Sequence, residues 1–119
     1  MSPDKVPDAV TLDDLATACS KVIDYIRVAS NPQLEQHPWL VSACCFEIAV
    51  MGEAVKRLTP EIRAKHPEVP WRDIAGMRDR LIHGYDSIDL EELWHTATEG
   101  VPALLEQIRK IQAEELGRE

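Results

Sequence analysis

The sequence predicts an all-α protein built as an up-and-down bundle of four main helices. Apolar residues recur at steps of three and four residues in four stretches, which is the spacing of one helix face. No stretch shows the two-residue alternation of a half-buried strand. With 119 residues, 45% of them hydrophobic, the chain can close one hydrophobic core. We expect a single domain over residues 11–116, preceded by a loose lead-in of residues 1–10.

The first two helices are predicted from their capping residues and prolines. Thr11 and Asp14 have the spacing of a capping box, so the first helix is expected to begin at Thr11. It ends at Ser30-Asn31-Pro32, because proline cannot continue the backbone hydrogen bonds of a helix. Pro38 suits the first position of the second helix, whose broad apolar stripe runs to Leu58.

Two more helices and a short helical turn follow. Thr59-Pro60-Glu61 has the form of a cap and a first-turn proline, and it predicts the short extra turn. Apolar spacing predicts a third helix over residues 71–83, with Gly84 at the position where a helix ends. Asp89 is placed to cap a long last helix, which we expect to be kinked near Pro102.

Charge and composition restrict the class of function. The formal net charge of -8 argues against the basic surface of non-specific nucleic-acid binders, so no DNA partner is expected and any RNA contact must be local. Three cysteines without a CxxC spacing predict reduced, buried thiols. Neither a leader segment nor an apolar run of about 20 residues is evident, which favours a cytoplasmic protein without a membrane span. The four histidines lack zinc-ligand spacing, so we predict no metal and no cofactor.

Arg78 and His83 are candidate functional residues near the end of the third helix. As cations they also suit the negative end of a helix dipole, which is the purely structural interpretation. At about 100° per residue the two side chains lie too far apart around a regular helix to form a tight pair. A second copy of the chain or a frayed helix end is therefore needed, and we expect a homodimer.

The stretch from Trp71 to Tyr85 closely resembles the signature of HepT-like members of the HEPN family. Its core is the pattern Arg-x4-His-x-Tyr, which Arg78, His83 and Tyr85 complete. Similar family segments occur around Gly52-Glu53-Ala54 and around Asp89-Leu90. The resemblance spans roughly residues 10–112 and implies a HEPN-like helical bundle.

The resemblance also implies an activity. HEPN proteins of this type form dimers in which the two motif helices face each other, and the motif performs metal-independent RNA cleavage. Attack of a 2'-hydroxyl on the adjacent phosphodiester needs proton transfer and positive charge beside the phosphate. We therefore expect His83 to act as acid or base and Arg78 to bind the phosphate. Arg72 and Arg80 would add positive charge for RNA binding.

Three further residues are singled out by the resemblance or its departures. In the family, the tyrosine at Tyr85 can be adenylylated by an MntA-type nucleotidyltransferase antitoxin, although a ring packed over the helix end is an equal alternative. Asp79 stands where many relatives have asparagine, and its carboxylate opposes RNA binding. Glu53 lies on an apolar stretch of the second helix, where we expect a structural partner for the carboxylate.

Three functions remain open at this point. The first is a ribonuclease toxin of a HepT/MntA-like toxin-antitoxin pair, which the complete motif favours. The second is a non-catalytic HEPN binding module that partners a nucleotidyltransferase, which Asp79 and the acidic net charge favour. The third is a purely structural dimeric bundle.

Overall fold

The computed structural model describes residues 6–29, 33–84 and 87–116. Its helices are α1 Asp8–Val28, α2 Pro38–Arg57, α3 Pro60–Lys65, α4 Trp71–Ala75, α5 Met77–Leu81, α6 Leu90–His95 and α7 Val101–Leu116, with a 3-10 turn at Leu34–Gln36. α1 packs against both α2 and α7, and α4 and α5 pack on α2. The predicted all-α bundle is confirmed.

α1 begins earlier than predicted, at Asp8. The predicted capping box at Thr11 is wrong, because the hydroxyl of Thr11 donates instead to the carbonyl of Pro7 at 3.5 Å. The Asp8 carboxylate accepts hydrogen bonds from the backbone N–H of Thr59 at 3.1 Å and from its hydroxyl at 2.6 Å. These bonds join the start of α1 to the chain just beyond the end of α2, so the two helices run antiparallel.

The core lies between α1, α2, α5 and the last helices. Its largest fully buried side chains include Leu12, Leu15, Leu40, Ile48, Met51, Leu81, Leu93, Ile108 and Ile111. The cysteines are free and buried, as predicted. Burial raises the pKa of Cys19 to about 12 and that of Cys44 to about 11, so both thiols stay protonated at neutral pH.

The predicted third helix over residues 71–83 is two short helices and a strand. α4 and α5 are separated at Gly76, and α5 ends at Leu81. The chain then forms a two-residue strand, β1 Ile82–His83, which pairs antiparallel with β2 Ser87–Ile88. Gly84 has a φ of 72°, a conformation that favours glycine and turns the chain sharply. These two strands of two residues each are too short to show the alternation of a strand in the sequence.

The last helix is capped as predicted but contains an irregular turn. The Asp89 carboxylate accepts a hydrogen bond from the backbone N–H of Glu92 at 3.0 Å. A π-helical turn at Thr96–Gly100 separates α6 from α7, and the backbone stays helical on both sides of it. Pro102, the second residue of α7, lacks the N–H that a regular helix requires, which accounts for the irregularity predicted near it.

α2 is long and apolar enough to cross a membrane by length and composition, which differs from the expectation that no segment has these properties. Of its most apolar 18-residue window, 56% is buried inside the protein. Its neighbours include α1, α4 and α5. This packing accounts for the apolar composition of α2, because core helices bury most of their surface.

Candidate ribonuclease site

The start of the motif segment is held by Trp71. This residue opens α4 and is buried. Its indole N–H donates to the backbone carbonyl of Arg63 at 3.1 Å and to that of His66 at 3.0 Å. The aromatic ring contributes apolar contact while its polar N–H is satisfied, so the connector after α3 fixes where α4 begins.

Gly52 sets how closely α4 approaches α2. A Cβ atom at this position would lie 3.2 Å from the carbonyl oxygen of Ala75 and 3.4 Å from that of Ile74. A side chain would therefore press against the backbone of α4. Glycine at this crossing brings the motif segment directly onto the central helix.

Arg78 lies on α5 with 59% of its side chain exposed. Its Nη1 is 3.7 Å from Oδ1 of Asp79, whose side chain is 86% exposed. An exposed pair at that separation is weak. Burial raises the pKa of the Cys45 thiol and the charge of Arg78 lowers it, which is consistent with the packing of α5 on α2. The Arg78 guanidinium remains available to an anionic ligand.

His83 lies on β1, beyond the end of α5, and is exposed. Ser87 is opposite it in the hairpin. Because the helix ends at Leu81, the angular separation of a regular helix does not apply to Arg78 and His83. Within residues 6–29, 33–84 and 87–116, the imidazole has no hydrogen bond or ion pair.

The comparisons with known proteins decide the family. The family model described as Ribonuclease HepT-like matches residues 15–111. The chain belongs to this family. No solved structure matches it.

Curated relatives cover most of this HepT-like chain. A protein of Caldanaerobacter subterraneus, named as a presumed RNase, is 36% identical over 87% of this chain and 93% of its own length. The "Probable ribonuclease HepT" of Thermococcus cleftensis is 32% identical over 85% of this chain and 92% of its own length. A presumed RNase of Methanocaldococcus jannaschii is 40% identical over 84% of this chain and 77% of its own length.

The other two arginines of the HepT-like segment are also exposed. Arg80 donates from Nη1 to the backbone carbonyl of Asp73 at 3.2 Å and lines a cavity of about 610 Å³ between α4–α5 and α6–α7. Arg72 lies on α4 and has no ion pair in the described part of the chain. Among the described residues, neither guanidinium is neutralised by a carboxylate at short range.

The two glutamates of α2 differ from the sequence-based expectation. Glu53 has a partner, because its carboxylate accepts a hydrogen bond from Lys56 at 3.0 Å, but its side chain is 70% exposed. The buried glutamate is Glu47, which exposes only 6% of its surface. Sequence reasoning missed Glu47, although it lies beside Ile48 in the same apolar run. The available signal was its spacing, because Glu47 lies three residues after Cys44 and four before Met51, which are both buried.

Tyr85, the residue predicted to be adenylylated, lies outside the described residues. Among those described, no group of three or more histidine, cysteine, aspartate or glutamate side chains is arranged to hold a metal ion. The candidate site of this HepT-like chain, as far as it is described, brings together one imidazole and exposed guanidiniums on one segment.

Proposed function

We propose that this chain is a metal-independent endoribonuclease that acts as the toxin of a toxin-antitoxin pair in the cytoplasm. The observation that carries the proposal is the exposed Arg78 guanidinium, without a short ion pair, on the helix that leads directly to the exposed imidazole of His83. Imidazole changes its charge near neutral pH, and arginine binds phosphate in a planar, bidentate way. Family membership and the names of the relatives support RNA as the substrate.

The reaction is an attack of a ribose 2'-hydroxyl on the adjacent phosphorus. A base removes the hydroxyl proton, the bond from O2' to phosphorus forms, and the bond from phosphorus to O5' breaks. An acid supplies the proton for the departing O5'. Arg78 donates to the non-bridging oxygens, where negative charge accumulates. The products are a 2',3'-cyclic phosphate and a 5'-hydroxyl end.

One histidine cannot hold both proton-transfer roles at once, which is why we propose a homodimer. The Phe46 face of α2, formed by Trp39, Ala43, Phe46 and Val50, has the spacing of one helix stripe. Phe46 is 65% exposed and Trp39 53% exposed. Large aromatic side chains left in solvent at helical spacing are typical of an interface with another chain.

The Phe46 face lies beside Arg78. Cys45, which is near the guanidinium, is the neighbour of Phe46 on α2. We place a two-fold axis beside Phe46, in the plane of the interface and perpendicular to α2. Rotation about this axis makes the two α2 helices antiparallel. In both copies, the flank of α2 that faces α5 then lies on the same side of the dimer. Both copies of Arg78 and His83 would then border one cleft, where one imidazole serves as base and the other as acid.

Local positive charge would bind the RNA despite the net charge of -8. Arg72 and Arg80 are exposed on the same segment as Arg78, and we propose that they contact phosphates beside the cleavage site. Field strength near a binding cleft depends on the nearby charges more than on the total.

The direct test is cleavage of cellular RNA by the purified protein in EDTA. We expect cleavage by the wild type and its loss in Arg78→Ala and His83→Ala. Equal cleavage by all three proteins would remove these residues from the mechanism. Loss of wild-type cleavage in EDTA would contradict the metal-independent chemistry.

A second candidate function is a non-catalytic module that partners an MntA-type nucleotidyltransferase. Asp79 favours it, because an 86% exposed carboxylate beside Arg78 opposes a phosphate. Under either function we propose Tyr85 as the residue that such a partner adenylylates. Mass spectrometry after co-expression tests this step, and an unmodified Tyr85 would contradict it. Co-purification with the nucleotidyltransferase without any RNA cleavage would favour the binding module.

A further inference from the structure

The cavity between α4–α5 and α6–α7 has the size of a ligand site. Its volume is about 610 Å³, which lies in the range of small-molecule binding pockets. The apolar part of its lining includes the buried side chains of Ile74, Met77, Val101 and Leu104. The π-helical turn Thr96–Gly100 contributes to one wall, and such turns are frequent at functional sites.

Thr96 is a buried residue of this wall whose hydroxyl has no partner in the described part of the chain. It exposes 7% of its surface and makes no side-chain hydrogen bond there. Thr98, in the same turn, donates from its hydroxyl to the Trp94 carbonyl at 2.7 Å, a common arrangement for threonine in a helix. The one buried side-chain nitrogen or oxygen without a partner in the described ranges is Nε of Arg63. The Thr96 hydroxyl therefore keeps contact with the cavity that it lines and is accessible to a ligand.

The charged side chains of the lining restrict what can enter the cavity. Asp73, Glu92 and Glu106 contribute three carboxylates, and none of them has an ion pair among the described residues. Arg80 of α5 and Lys110 of α7 add two permanent cations from opposite sides. Because carboxylates outnumber these cations, the cavity does not suit a ligand with several negative charges. It suits a neutral, largely apolar group that is joined to a single phosphate near Arg80 or Lys110.

Arg80 connects the cavity to the proposed path of the RNA. It lies two residues after Arg78 on α5, and its proposed role is to contact a phosphate beside the cleavage site. A nucleotide whose phosphate contacts Arg80 would bring its base to the mouth of the cavity. Proteins recognise single-stranded RNA largely through unstacked bases that bind in pockets. A nucleobase is neutral and flat, and its edge carries hydrogen-bonding groups that a hydroxyl can meet.

We propose that this cavity is a base-binding subsite for the RNA substrate, in which a nucleobase packs on Ile74, Met77 and Leu104 and bonds to the Thr96 hydroxyl. The base belongs to a nucleotide that flanks the cleaved bond and whose phosphate contacts Arg80. The inference rests on the proposed ribonuclease and deepens it. It assigns sequence preference to the wall formed by α6 and α7, outside the motif segment.

Removal of the Thr96 hydroxyl tests the subsite. Thr96→Val keeps the shape of the side chain, and Thr98→Val in the same turn is the matched control. Both changes are made in His83→Ala protein, so that the RNA stays intact, and the Kd for a labelled RNA oligonucleotide is measured by fluorescence anisotropy. We expect Thr96→Val to raise the Kd about fivefold, which corresponds to one lost hydrogen bond. Thr98→Val should leave the Kd unchanged.

A purely structural role of the hydroxyl would give a different result. Because the Thr96 hydroxyl has no partner in the described chain, Thr96→Val should leave the midpoint of urea unfolding unchanged or raise it. An unchanged Kd in Thr96→Val would overturn the proposal. A raised Kd that accompanies a lowered unfolding midpoint would also overturn it.

RNA oligonucleotides that lack a single base identify the nucleotide that enters the cavity. We expect one position at which removal of the base raises the Kd for the His83→Ala protein. This rise should be smaller when Thr96→Val is also present, because the base and the hydroxyl belong to one contact. Independent effects of the two changes at every position would contradict the assignment.

A tryptophan at the mouth of the cavity provides a second variant. Ala103 is exposed on the first turn of α7 and lines the cavity, so Ala103→Trp replaces no core residue. We expect it to raise the Kd about tenfold, because it competes with the bound base. Ala113→Trp, which is exposed on the same helix outside the cavity, is the matched control. Equal effects of the two tryptophans would count against the subsite and overturn it.

These measurements separate failure of the subsite from failure of the proposed function. Cleavage that depends on His83, without any coupling between Thr96 and a base, would remove the subsite and keep the ribonuclease. Coupling at Thr96 in a protein whose wild type never cleaves RNA would remove the ribonuclease and keep the subsite. Binding of AMP that Thr96→Val weakens, with RNA binding unchanged, would assign the cavity to a free nucleotide and overturn the proposal.

Discussion

The segment from Trp71 to His83 is held differently at its two ends. At its start, the indole of Trp71 donates to two backbone carbonyls. One of these belongs to His66, which is itself buried and lies 2.9 Å from Glu115 of α7. At its end, the one ion pair of Arg78 in the described residues is 3.7 Å long, and the imidazole of His83 is exposed. The comparison teaches that the fold holds the backbone at both ends, the far end through the pairing of β1 with β2, but fixes the side chain only at the start of the segment.

The largest expected effect is at the exposed end. Replacing the imidazole in His83→Gln should lower RNA cleavage by about 10²–10⁴-fold, because a general acid or base is lost. The same change should alter the free energy of unfolding by less than about 0.5 kcal/mol, since an exposed side chain is replaced. Cleavage rates and urea unfolding measured on the same preparation check both parts. A variant that loses activity and stability together would contradict the separation of the two ends.

The next effect is at the anchored end. Gly52→Ala should destabilise the protein by about 1–3 kcal/mol, because its Cβ would meet the Ala75 carbonyl at 3.2 Å. Gly100→Ala is the matched control, since its Cβ would meet Thr96 at an ordinary 3.9 Å. That variant should change stability by less than about 1 kcal/mol. Equal thermal unfolding of the two variants would show that the α2–α4 crossing is not tight.

The anchor should also weaken in acid. Hydrogen bonds from Lys65 and His66 hold the pKa of Glu115 below its ordinary value of 4.5. Because the folded pKa is lowered, the contribution to stability is fully present above pH 4.5. It is lost as the pH falls through the folded pKa. Unfolding of Glu115→Gln should therefore depend less on pH below 4.5 than that of the wild type.

Glu114→Gln provides the comparison for that pH dependence. Its carboxylate lies 3.8 Å from His66 and is 67% exposed, so its removal should leave most of the acid dependence in place. An identical pH profile for both variants would contradict the specific role of Glu115.

The smallest effect is expected at Asp79. Asp79→Asn removes a negative charge beside Arg78, and we expect RNA to bind up to about fivefold more tightly, because exposed charges interact weakly. Added salt should reduce the difference. Fluorescence anisotropy with a labelled RNA measures it, and Asp24→Asn on α1, which also removes an exposed carboxylate, serves as the control. Weaker RNA binding by Asp79→Asn would mean that the carboxylate supports the site.

Local patterns predicted the elements that depend on neighbouring residues. The Asp89 cap and the stripe of α2 from Pro38 involve contacts within a few residues, and both occur in the structure. The start of α1 was missed because Asp8 is bonded to Thr59, 51 residues away. Such a contact leaves no periodic signal in the sequence.

The residues of the candidate site remain a prediction, and the sequence did not predict the backbone that holds them. The motif named Arg78 and His83, whereas the break at Gly76 and the two-residue strands are too short to produce a periodic pattern. Glu53 was expected to need a structural partner because it lies on an apolar stretch of α2, yet the buried glutamate of that helix is Glu47. Which flank of a helix meets a neighbour depends on tertiary packing, and a single sequence does not encode it in local spacing.

The depth of the cysteines has a practical consequence for labelling. With a pKa of about 11, Cys44 is almost entirely the neutral thiol at pH 7, whereas the thiolate is the form that reacts with labelling reagents. Cys19 is more protected still, and burial raises the pKa of Cys45 as well. A cysteine introduced at Val28, which is 76% exposed at the end of α1 and lies outside the Phe46 face, would react selectively without removal of the native three. Spin labels placed there would report the distance between two copies without disturbing the proposed interface.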